Sequence, residues 1–152
     1  MFQIIDNENQ FPHLVIDTLL AFDFGERRIG VAIGHAMLAS ARALTTISAE
    51  SNHARFTAIA AVVKTWQPNL FVVGWPSYED ERPHPLQPLI KKFAQRLNGR
   101  FACPVCMIDE RYSSLEAQAL LPARNSLDAL AAKVILERFL SSSCKPSSIL
   151  DQ

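Results

Sequence analysis

The chain has 152 residues, of which 49% are apolar and 20% charged, proportions that exclude a disordered or fibrous protein. One domain is expected at this length. Lys plus Arg number 15 and Asp plus Glu number 15, so a wholly basic nucleic-acid coat is excluded, although a local basic face is not.

Residues 1–17 are polar and weakly patterned, and read as an N-terminal extension with one short strand around Leu14–Ile16. The first ten residues carry Asp6 and Glu8 but no Lys or Arg, unlike a secretory signal. The most apolar runs, Thr18–Phe24 and Ala58–Val63, are too short to cross a bilayer, so the expected location is the cytoplasm. Leu19–Phe24 reads as a buried strand and GERR as a turn. Ile29–Gly34 and Ala43–Ile47 complete an antiparallel meander.

The period then changes. Phe56, Ile59, Ala60, Val63 and Trp66 fall on one face of a helix over Asn52–Trp66, stopped by Gln67-Pro68-Asn69. Leu70–Val73 is a short buried parallel strand ending at Gly74. Residues 75–85 hold three prolines and read as a loop. Leu86–Leu97 reads as a second helix, stopped by Asn98-Gly99. Val105–Ile108 is the fifth strand, Ser113–Leu120 a short helix broken by Pro122, and Ser126–Leu140 the last long helix. Residues 18–141 thus form one domain and 142–152 a frayed tail. The order predicts an α/β fold, a mixed five-stranded sheet with helices on both faces.

Cys103 and Cys106 form a CxxC. Half of a zinc site would need further ligands from one Cys and four scattered His. Redox pairs of this spacing sit where a strand turns into a helix, whereas here the motif enters a strand and its cysteines point to opposite faces. Packing is the expected role.

Ligands of such sheets bind at the carboxyl ends of the strands. The first strand ends at Asp23 and the fifth at Asp109-Glu110. A carboxylate closing an apolar run is costly unless paired or bound to metal. In the last helix Asp128, Ala132, Ile135 and Phe139 share a stripe, so Asp128 heads a face that is due to be buried. Alternatively it is a first-turn acid favoured by the helix dipole, with Asn125 as cap. Three carboxylates from two strand ends and a helix start would offer oxygen ligands only. Such a set selects Mg²⁺ or Mn²⁺, as one or two ions that activate water for phosphodiester hydrolysis.

FDFGERRIGVAIG, VVGWP, IDERYSS and SLDALAAKVILE, in that order from Leu19 to Leu140, resemble the YqgF/RuvX family. These are RNase H-like proteins described as Holliday junction resolvases and as nucleases maturing the 5′ end of pre-16S ribosomal RNA. The resemblance implies an RNase H-like sheet whose first three strands are antiparallel. It places the acidic, metal-holding and catalytic site on Asp23, Glu110 and Asp128, and chooses Glu110 over Asp109. Arg27, Arg28 and Arg111 lie beside these acids and suit bidentate phosphate contact. Lys92, Arg96 and Arg100 share a helix stripe that would extend a basic track. Gly25 and Gly30 flank the hairpin, where turn geometry is the expected role. The acidic loop with Glu79, Asp80 and Glu81 departs from the family's pattern.

The implied function is a metal-dependent endonuclease acting on ribosomal RNA precursor, as monomer or homodimer. The alternatives are a resolvase of branched DNA, which requires a dimer for two symmetric cuts, and a non-catalytic RNA-binding assembly factor. An actin-like phosphotransferase, hinted at by DFGERRIG, would need two such domains, and the chain has room for one.

Overall fold

The first strand, TLLAFDF, is apolar on both faces, which demands a place inside a sheet. In the computed structural model, which describes residues 17–38, 40–48, 50–76, 83–109 and 124–141 (with side chains of the last stretch from residue 128), β1 (Thr18–Phe24) holds that place. It pairs antiparallel with β2 (Arg28–His35) and parallel with β4 (Leu70–Trp75). β3 (Ser40–Ser48) pairs antiparallel with β2, and β5 (Val105–Asp109) parallel with β4. The order β3-β2-β1-β4-β5 is the RNase H-like sheet expected from the sequence, with its antiparallel meander at one edge.

Alternation along the strands sorts the core into two layers. Leu20, Phe22 and Phe24 of β1 pack with Phe56 and Ile59 of α1 (Asn52–Trp66) and with Ile90, Phe93 and Leu97 of α2 (Gln87–Phe101). Leu19 and Ala21 pack on the other face with Ala132, Ile135, Leu136 and Phe139 of α3 (Arg124–Ser141). Helices therefore cover both faces, as expected.

α1 has the bounds read from the sequence. The Ser51 hydroxyl accepts from the Ala54 amide at 3.1 Å, and Gln67 closes the helix in the left-handed region, φ 49°. Asn69 then pins the start of β1: its Oδ1 accepts from the amides of Asp17 and Thr18 at 3.1 and 3.0 Å.

Several boundaries differ from expectation. β4 extends through Gly74 to Trp75 and β5 to Asp109, because each gains a partner from the other (Gly74 with Ile108, Trp75 with Asp109). α2 does not stop at Asn98-Gly99 but runs to Phe101, and Ala102 caps it at φ 50°. Asn98 is buried and its Nδ2 donates to the Cys103 carbonyl at 3.1 Å, so tertiary contact overrides a local stop signal. α3 begins at Arg124, which puts Asn125 inside the helix rather than at its cap and Asp128 beyond the first turn. The strand expected at Leu14–Ile16, the helix at Ser113–Leu120 and the acids of the 75–85 loop lie outside the described residues.

Cys103 packs in the α1–α2 layer and Cys106 in the α3 layer, neither in a disulfide. Burial pushes the Cys103 thiol up to about 12, so it stays protonated and inert.

Candidate active site

The parallel strands β1, β4 and β5 end at one edge of the sheet. Asp23 lies there, half-buried, next to last in β1 and paired across the ladder with Gly30 of β2. It alternates with Leu19 and Ala21, and so belongs to the face that α3 covers. Gly30 belongs to the same face, two residues before Ala32.

Gly30 is not a turn residue, contrary to expectation. It lies within β2, and a Cβ there would overlap the main-chain carbonyl of Asp128 and crowd the amide of Ala129. The missing side chain lets the backbone of α3 rest on the sheet at the residue opposite Asp23. The main chain of Asp128 thus lies over the residue paired with Asp23, from a position 105 residues away in sequence. Gly25 does have the expected turn role, since a Cβ there would stand 2.6 Å from the Arg28 carbonyl oxygen.

The Asp128 side chain is 25% exposed, but its Oδ2 is shielded from solvent. Arg28 Nε stands 3.1 Å from that oxygen without the alignment of a hydrogen bond. The contact is an ion pair, and Oδ2 has no hydrogen-bond partner among the described residues. A shielded carboxylate oxygen with one guanidinium beside it and no hydrogen bond is incompletely compensated. It suits a hard cation, and oxygen donors of this kind fit Mg²⁺ or Mn²⁺. No group of three or more His, Cys, Asp or Glu side chains forms among the described residues; the third expected acid, Glu110, lies outside them, as does Arg111.

Asp109 can now be compared with its neighbour. In β5, Cys106 and Ile108 face α3, whereas Val105 and Met107 face α1 and α2. Asp109 shares the alternation of Val105 and Met107, away from Asp128. Its carbonyl accepts from Arg138 of α3 at 2.7 Å, which ties the end of β5 to that helix.

The expected phosphate contacts divide. Arg28 is engaged with Asp128, while Arg27 is exposed on the β1–β2 turn. Two arginines escaped the sequence reading. Arg138 left no periodic signal. Arg55 did leave one: it is a cation in the first turn of α1, where the helix dipole disfavours positive charge and no acid accompanies it. It donates to the carbonyl of Glu26 on the β1–β2 turn.

A family model described as "RuvX: Holliday junction resolvase" matches residues 17–142. A protein of Dechloromonas aromatica (strain RCB) named "Putative pre-16S rRNA nuclease" is 52% identical over 133 residues, covering 82% of this chain and 91% of its own length. One of Paraburkholderia xenovorans (strain LB400) with the same name is 49% identical over 127 residues, covering 81% and 87%. Among solved structures, RuvC of T. thermophilus in complex with a Holliday junction substrate aligns with TM-score 0.54 at 15% identity, covering 86% of this chain and 99% of that one. At that identity the likeness concerns the fold.

Proposed function

The chain belongs to the RuvX family, and from that premise we propose that it is a metal-dependent nuclease hydrolysing phosphodiester bonds in the 5′-end maturation of pre-16S ribosomal RNA. Its catalytic unit is a single RNase H-like domain over 18–141, a reading supported by the family match at 17–142. Asp23, Glu110 and Asp128 hold one or two Mg²⁺ or Mn²⁺ ions. The observation that carries this is the shielded Asp128 Oδ2 without a hydrogen bond, on a helix backbone seated against the residue paired with Asp23.

Glu110 is preferred over Asp109 because Asp109 shares the alternation of Val105 and Met107, away from the α3 face. When bound, a divalent ion lowers the pKa of water and neutralises charge developing on the phosphate. The chain's own residues do the rest. Arg28 pairs with the Asp128 carboxylate and orients it. Arg27, on the exposed turn, and Arg111 contact the phosphates flanking the scissile bond. Arg138 holds the end of β5 against α3. Among the described residues no helix is long and apolar enough to cross a membrane. The reading places the protein in the cytoplasm with the precursor.

The family's description favours a second reading, cleavage of branched DNA, which requires a homodimer to make paired cuts. One experiment separates the two. Purified protein is incubated with Mg²⁺ or Mn²⁺ and with two labelled substrates, a pre-16S 5′ fragment and a four-way DNA junction, beside a folded Asp23→Asn variant. Cutting of the RNA, reduced to background in the variant, is the expected result. Cutting of the junction alone transfers the assignment to the resolvase. Equal cutting by wild type and variant removes Asp23 from the site. A metal-loaded, folded protein that cuts neither leaves an RNA-binding assembly factor as the function.

A further inference from the structure

Among the described residues, the charged side chains of the two helices on one sheet face are all basic. The chain balances 15 basic against 15 acidic residues, yet α1 and α2 carry Arg55, Lys64, Lys91, Lys92, Arg96 and Arg100 and no Asp or Glu. Both helices cover the sheet face away from Asp128.

Two of these arginines are held on aromatic rings. The Arg55 guanidinium lies 5.3 Å from the centroid of Phe24, and that of Arg100 lies 4.6 Å from the centroid of Phe56. Phe24 and Phe56 both touch Phe93, at centroid separations of 5.0 and 5.8 Å. One aromatic cluster at the rim of the core thus positions both cations. Arg96 sits one turn before Arg100 on the exposed side of α2. Burial, and then repulsion from Arg96, lower the pKa of Arg55. Among the described residues none of Arg55, Arg96 and Arg100 meets a carboxylate.

The ring contacts and the bond to Glu26 account for Arg55 and Arg100 singly, but they do not offset the gathering of three like charges on one face. Like charges repel, and Arg55 also opposes the dipole of its own helix. A polyanion would relieve both costs, and guanidinium forks fixed on rings are pre-organised for phosphate oxygens. The group is also continuous with the candidate site. Arg55 is bonded to Glu26, on the turn that carries Arg27, and its ring partner Phe24 follows Asp23 directly.

We propose that Arg55, Arg96 and Arg100 form a phosphate-binding ridge that holds the substrate's backbone away from the cleavage point, the strand passing from the acidic strand ends over the β1–β2 turn onto α1 and α2. The identity of the polymer as RNA rests on the nuclease reading; the ridge itself reads phosphates and no bases.

The test is binding without catalysis. A fluorescently labelled single-stranded pre-16S fragment and a DNA of the same sequence are titrated in EDTA at several salt concentrations. The proteins are wild type, Arg96→Gln, Arg100→Gln and, as control, Lys133→Gln on α3, each checked for folding by circular dichroism. Each arginine variant is expected to weaken binding about fivefold to tenfold at 0.1 M salt, and to reduce the slope of log K against log salt by about one. Lys133→Gln is expected to leave both unchanged. Equal losses on RNA and DNA support backbone contact alone, and losses on RNA only support contact that includes the 2′-hydroxyls. Arginine variants with wild-type affinity and slope overturn the ridge, as does a wild-type protein that binds neither polymer. Because the assay contains no metal, the two readings fail separately. Wild-type cleavage by Asp23→Asn removes the site without touching the ridge, and wild-type binding by the arginine variants does the reverse.

Discussion

At the scale of single residues, Gly30 sets the distance between sheet and helix on the α3 face. Across the ladder from it is Asp23, and above it runs the main chain of Asp128. Any side chain there must push α3 off β2 or bend the strand. Gly30→Ala is therefore expected to destabilise the protein at or above the upper end of the usual overpacking range, about 1–3 kcal/mol. In a chain of this size that corresponds to a Tm lower by about 6–12 °C. Thermal unfolding followed by circular dichroism measures it, and a Tm within a degree or two of wild type would show that the helix does not seat as described. The sequence reading located this glycine but assigned it to turn geometry. A glycine needed for close approach and one needed for a turn look alike until the partner backbone is in place.

At the scale of elements, α2 shows a local signal losing to packing. Asn98-Gly99 has the composition of a helix stop, yet the helix continues one turn to Phe101. Asn98 turns inward and satisfies the Cys103 carbonyl, while Phe101 stacks edge-on against Phe71 with centroids 5.9 Å apart. Gly99 sits in this last turn with ordinary backbone angles and open space where a side chain would be. Two substitutions should then act in opposite directions. Gly99→Ala is expected to stabilise by about 0.5–1 kcal/mol, since it reduces the freedom of the unfolded chain at no steric cost. Asn98→Ala is expected to cost about 1–3 kcal/mol, by leaving a buried carbonyl without its donor. Urea denaturation midpoints decide both, and a destabilising Gly99→Ala would argue that α2 ends where its composition says.

At the scale of the whole molecule, the proposed metal site joins residues distant in sequence: Asp23 of β1, Asp128 of α3, and Glu110. Binding to the folded state alone would couple to the stability of the entire sheet. Mg²⁺ or Mn²⁺ at about a hundred times its Kd is expected to add about 2.7 kcal/mol. That raises Tm by about 5–10 °C. Asp23→Asn and Asp128→Asn should each abolish most of the shift. A shift of equal size in both variants would place the ion elsewhere. The measurement needs no substrate, so it tests the ligands apart from the nuclease activity.

The sequence by itself determined the strand and helix order, the antiparallel meander and the helix-covered faces, because period-2 and period-3.6 apolar patterns are local and survive without any partner. It also singled out Asp23 and Asp128, since an acid closing a buried run or heading a buried stripe is conspicuous in one dimension. Only the tertiary structure decided that Gly30 seats α3, that Arg28 faces Asp128 and that Asp109 alternates away from the α3 face. It also decided that Arg55 and Arg100 share one aromatic cluster, with no acid beside them among the described residues. Those are relations between residues brought together by the closing of the sheet and the docking of helices on opposite faces, and sequence spacing carries no trace of them.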